Sequence, residues 1–233
     1  PDARSTRPQP CPATLVACEH MYLSCLSFLG YVLFARRRIP LPFGYLPLCA
    51  LALLTVGGFA TALAGHFPAY RTGAGVLGLA LLAATAGESL LDLLRERRRR
   101  DDEGSADRAA RAALPANSAA TTGHRPAARL SAENLAEPLL FSTALLALPW
   151  YFHGVVLRYY DEFFWGNLLK ALLLDGRPLT GSAPLGGTGI PLLNPPGPAL
   201  LQSLFMPGDF DEAGMAVGGM ALVLALVSLV LHL

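Results

Sequence analysis

Charge is scarce in this sequence. Asp, Glu, Lys and Arg make up 15% of its 233 residues, where a soluble domain carries about 25%, while 53% are hydrophobic and the mean hydropathy is +0.42. A water-soluble globule is disfavoured on these grounds. Lysine is nearly missing: of 18 basic residues only Lys170 is lysine and the other 17 are arginine, a bias that, with the many Ala, Leu, Gly and Pro, points to a GC-rich coding sequence. The formal net charge of +1 excludes a strongly basic nucleic-acid binder. Catalytic signatures are missing too, with no HExxH, no P-loop, no GxGxxG at a strand-to-helix junction, no nucleophile elbow and no CxxC. The four cysteines, Cys11, Cys18, Cys25 and Cys49, match neither a metal site nor a secreted disulfide framework, and are expected to be small buried hydrophobes.

What is present is hydrophobic block structure at bilayer-spanning length. The first block runs from about Pro12 to Phe34, broken by Glu19 and His20. The second fits inside Ile39–Gly65, where 27 consecutive positions hold no charge, and starts near Gly44 or Tyr45 because Pro40 and Pro42 disfavour an earlier helix. The third runs from Thr72 to Leu94, the fourth from Pro138 to Leu157 and the fifth from Ala213 to Leu233. The fold class expected is therefore all-α, a polytopic membrane bundle of five transmembrane helices.

The chain divides into a three-helix segment (1–94), a charged and Ala-rich linker (95–130) and a two-helix segment (131–233). The linker opens with RERRRRDDEGSAD and cannot bury enough apolar surface to offset its ordering entropy; its first part extends the third helix into water. Ser131, ahead of Glu133 and Asn134, marks the start of the fourth helix. Of the 18 basic residues, 12 fall on the two loops after the first and third helices, so the positive-inside rule places the N-terminus outside and the C-terminus inside. A long outer loop (159–212) begins with YYDEFFWGNLLKALLLDG, an amphipathic interfacial helix anchored by Phe163, Phe164 and Trp165. Its Gly/Pro-rich remainder has the composition of chain laid against a partner.

Few residues have the makings of chemistry. His20 beside Glu19 in the first block, His153 in the fourth and His66 after the second fall at similar depth, and intramembrane ionisable groups point to function. His20 and His153 are candidate ligands for haem iron or chlorophyll magnesium. Glu88 and Asp92, spaced i, i+4, are with Glu19 the candidates for an ion path, or form a helix end neutralised by nearby arginines. Small residues recur at Gly57, Thr61 and Gly65, at Ala80, Ala83, Ala84 and Gly87, and as a GxxxG at Gly214 and Gly218, and permit close helix approach. Arg97, Arg98, Arg99 and Arg100 suit lipid head groups or an acidic neighbour.

The function expected is a non-catalytic accessory subunit of an energy-converting membrane complex, respiratory or photosynthetic. Its setting would be the mitochondrial inner or thylakoid membrane, since Pro1 in place of an initiating Met reads as a processed chain or one beginning inside a precursor. Its partners would be other membrane subunits and lipids, not nucleic acid. The alternatives are a small transporter or ion channel using Glu88 or Glu19, and a haem- or chlorophyll-binding protein using His20 and His153.

Overall fold

A proline opens the first helix and another ends it. In α1 (Pro12–Arg38) the fixed φ of a proline suits the first helical position, and Pro40 biases Ile39 away from helix, so the chain leaves after the Ile39 N–H donates to the Ala35 carbonyl at 2.8 Å. Arg36, Arg37 and Arg38 fill the last turn, where cations complement the helix dipole. The computed structural model describes residues 12–113, 132–152, 197–206 and 212–233.

Helix α2 (Tyr45–Leu63) begins where the preceding prolines place it and tolerates Pro47 in its first turn. It ends in a Schellman turn: the His66 N–H donates to the Thr61 carbonyl at 2.8 Å and the Gly65 N–H to the Ala62 carbonyl at 3.0 Å. Gly65 supplies the positive φ of 76° that this turn requires. Helix α3 (Phe67–Ala113) restarts at once and runs for 47 residues, about 70 Å at 1.5 Å per residue. It therefore begins before Thr72 and continues through the charged run as far as Ala113. Within that run Arg99 and Arg100 pair with Glu96 at 3.6 and 3.2 Å, the kind of i, i+3 and i, i+4 contact that supports a helix with no core behind it.

Three further helices lie among the described residues: α4 (Ala132–Tyr151), the short α5 (Gly197–Ser203) and α6 (Glu212–Val230). All regular structure among the described residues is helical. Among the described residues three helices are long and apolar enough to cross a membrane, Tyr45–Leu63, Phe67–Arg100 and Ala213–Val230. The five-span count requires α1 and α4 as well, and the described residues of those two helices do not confirm it.

Helix α1 packs along α3 in the same direction, with Ser27 and Tyr31 beside Ala74 and Arg37 beside Glu88. Between them the chain returns through α2, which lies against the start of α3. The core is a line of aromatic rings from separate segments: Phe28 stands 5.7 Å from Phe205 and 6.4 Å from Phe141, and Phe141 stands 5.7 Å from Phe43. Ring contacts of this kind supply dispersion and shape. In a lipid surrounding that is the main attraction left between helices, because the hydrocarbon outside is as apolar as the core.

Several expected features lie outside the described residues. These are His153, the anchors Phe163, Phe164 and Trp165 with their interfacial helix, most of the loop 159–212, and the linker beyond Ala113.

Candidate functional site

Glu88 and Asp92, two of the three charged side chains inside the expected spans, lie together at one end of the bundle. On α3, Glu88 accepts from Arg37 Nη1 at 3.2 Å and from Arg38 Nη2 at 2.5 Å, and Arg37 Nη2 donates to Ser89 Oγ at 2.7 Å. Asp92 lies 3.6 Å from Arg37 and 3.7 Å from Arg95. The two carboxylates singled out by their i, i+4 spacing are thus clamped chiefly by guanidiniums from the end of α1. Only the Arg95 contact is of the local kind that spacing along one helix foretells.

The same end holds a second polar contact. Glu137 Oε1 on α4 lies 3.3 Å from His232 Nδ1 and accepts from Ser228 Oγ at 3.2 Å, which ties the start of α4 to the end of α6. A Cβ on Gly44, just before α2, would overlap the Ser228 carbonyl oxygen and crowd the His232 ring. Neither Glu137 nor His232 stands out in the sequence, since each sits at the edge of an apolar block with no partner nearby in the chain.

His20 lies toward the opposite end, exposed on α1 beside exposed Glu19. It lines a crevice of about 180 Å³ together with Ser24, Arg71, Thr72 and Met206. His66 is also exposed; its backbone closes the turn into α3, where its carbonyl accepts from the Tyr70 N–H at 3.1 Å. Among the described residues no three His, Cys, Asp or Glu side chains converge as a metal site. Of the cysteines, Cys25 is buried and Cys49 exposed.

The small-residue stripes separate into those filled by this chain and one left open. A Cβ on Gly57 would come within 2.7 Å of the Tyr70 hydroxyl, one on Gly214 within 3.1 Å of Met206 Cα, and one on Gly218 within 2.7 Å of Gln202 Cα. The α2 stripe is therefore occupied by Tyr70, and the GxxxG of α6 by the segment running from α5 to Met206. On α3, by contrast, Val76, Ala80, Ala83, Gly87, Leu90 and Leu94 are all exposed, and among the described residues nothing lies within 4 Å of a Cβ on Gly87. Their spacing of four, three, four, three and four is a heptad seam. The arginines beyond it divide, with Arg99 and Arg100 turned to Glu96 and Arg97 and Arg98 exposed.

An apolar groove opens between α1, α2 and α3. It encloses about 660 Å³ and runs from Tyr70 and Leu54 toward Arg38 and Leu41. Comparison of the chain with protein-family models, with curated proteins and with solved structures finds no match.

Proposed function

We propose that the chain is a non-catalytic accessory subunit of a larger membrane assembly and docks there through the exposed seam of α3. The observation that supports this most directly is the openness of that helix: 17% of its apolar window is buried, against 44% for α6. Of the three membrane-length helices described, α3 thus leaves the largest share of its apolar window uncovered. Bilayer lipid alone gives no reason for Gly87 to be glycine, because glycine inside a helix costs roughly 0.5–1 kcal/mol relative to alanine. Close approach of a second backbone offsets that cost, as at the small-residue faces of membrane helices. The leucines at 90 and 94 extend the seam toward the charged turns, so one partner helix could follow it for almost five turns.

The setting proposed is an energy-converting complex of an organelle membrane, respiratory or photosynthetic, with the arginine-bearing end on the positive-inside face. Support for that part comes from composition and loop charge.

The test is extraction of the tagged full chain from its native membrane in mild detergent, followed by native electrophoresis. The parent chain should migrate within a larger assembly, and Ala83→Leu and Gly87→Leu should each release it as a folded protein of unchanged helix content. Purification of a stable parent monomer with nothing attached would overturn the reading.

A further inference from the structure

The groove between α1, α2 and α3 is chemically one-sided. Two tyrosines border it, but the Tyr31 hydroxyl donates to the Ala74 carbonyl and the Tyr70 hydroxyl to the Leu54 carbonyl, each at 2.7 Å. Both donors are thereby used within the bundle. The rest of the wall is apolar, with Leu53, Leu77 and Leu81 among its lining, until it reaches Arg38. An occupant of the interior must therefore be hydrocarbon, since a polar group there would find no partner. From Tyr70 to Leu81 along α3 the wall rises about 16 Å, close to the roughly 15 Å depth of one hydrocarbon leaflet.

At the Arg38 end the balance of charge is positive. Three guanidiniums, those of Arg37, Arg38 and Arg95, surround the two carboxylates of Glu88 and Asp92. Glu88 is divided between Arg37 and Arg38, and the Arg38 side chain stays 56% exposed, so it can still take an anion. Its guanidinium also stands 5.4 Å over the Phe34 ring, which holds it at the groove mouth.

We propose that this groove seats one acyl chain of an anionic phospholipid, from the leaflet at the arginine end, with the headgroup phosphate against Arg38. Hydrocarbon length matches the apolar wall, and the surplus charge sits where a headgroup would emerge. The site is separate from the α3 seam and does not depend on any protein partner.

The full chain in nanodiscs, with a photoreactive diazirine in the acyl chain of either phosphatidylglycerol or phosphatidylcholine, tests this by mapping the crosslinked peptides. Phosphatidylglycerol should mark the peptides carrying Leu53 and Leu77 about fivefold more than phosphatidylcholine does, the preference one arginine supplies near a membrane surface. Arg38→Gln should bring the two lipids to parity. Gly73→Leu should lower groove labelling severalfold with either lipid, because Gly73 lines the groove and nothing lies within 4 Å of a Cβ there. Labelling of the exposed α6 residues Val223, Leu226 and Val227 should stay constant and reports an intact bundle. Should Gly73→Leu fold poorly, Cys49→Phe fills the same groove from α2. Equal labelling by the two lipids in the parent chain overturns the proposal, as does groove labelling unchanged by either filling substitution in a bundle that α6 labelling shows to be intact.

Discussion

Gly30 on α1 and Gly78 on α3 meet backbone to backbone. A Cβ on Gly30 would overlap the Gly78 carbonyl oxygen, and a Cβ on Gly78 would overlap the hydroxyl and carbonyl oxygens of Ser27. Two parallel helices are thus brought as close as their main chains allow. That contact is what lets Ser27 and Tyr31 reach the Ala74 carbonyl one turn away, at 3.4 and 2.7 Å. It also sets the lateral distance at which Arg37 and Arg38, two turns further on, find Glu88. The charged clamp depends on the glycine crossing, because a wider separation would carry the guanidiniums out of reach.

Replacing Gly78 by leucine should therefore do more than crowd one spot. Overpacking costs typically 1–3 kcal/mol, and here the displaced groups are backbone atoms that cannot rotate away. Unfolding of the reconstituted chain in bicelles by added dodecyl sulfate should begin at lower detergent fraction for Gly78→Leu and for Gly30→Leu. The two substitutions together should cost less than the sum of the singles, because they disrupt the same contact.

Glu88→Gln should destabilise the bundle only modestly. The Arg37 side chain is 30% exposed and that of Glu88 39%, and partly exposed ion pairs of this kind contribute about 0–1 kcal/mol. A double-mutant cycle of Glu88→Gln with Arg37→Gln isolates the pair, and a coupling energy well above about 1 kcal/mol would show the clamp to be drier than its exposure indicates. The same variant bears on the transporter alternative: if ions flow through the reconstituted parent chain and Glu88→Gln abolishes the flow, the carboxylate carries more than structure.

The start of α2 at Tyr45 is legible in Pro40 and Pro42, and that of α6 in the turn from charged chain to an unbroken apolar run. The start of α3 is not, because a Schellman turn needs only Gly65 and His66, and two residues are easily absorbed into the blocks on either side. Its continuation past Leu94 was legible in part, since Glu96 is followed by Arg99 and Arg100 at helical spacing. The site was harder to foresee. Arg37 and Glu88 are 51 residues apart, and a one-dimensional pattern shows each only as a charge at a block edge. Spacing likewise identified three stripes of small residues without separating the two that the chain fills from the one it leaves open. That distinction is a matter of which neighbour lies across each helix face.

Gly65→Ala should weaken the α2–α3 turn. The position has a φ of 76°, and a side chain in the left-handed region costs roughly 1–2 kcal/mol. The loss should appear as a lower unfolding midpoint with the helix content of the folded state unchanged. Faster proteolysis between Ala64 and Phe67 should accompany it.

The filled and open stripes predict opposite outcomes for the same kind of substitution. Gly218→Leu places a side chain where Gln202 Cα stands only 2.7 Å from a bare Cβ, so the isolated chain should lose about 1–3 kcal/mol of stability as α5 is forced off α6. Ala83→Leu projects from an exposed face of α3 and should leave the isolated chain within about 0.5 kcal/mol of the parent, with a slight gain in helix propensity. In the native membrane the ranking should invert for assembly, with Ala83→Leu the more damaging because it obstructs the face that α5 does not cover. Stability measured in bicelles and assembly measured on native gels therefore separate what the small residues do within this bundle from what they do for its partner.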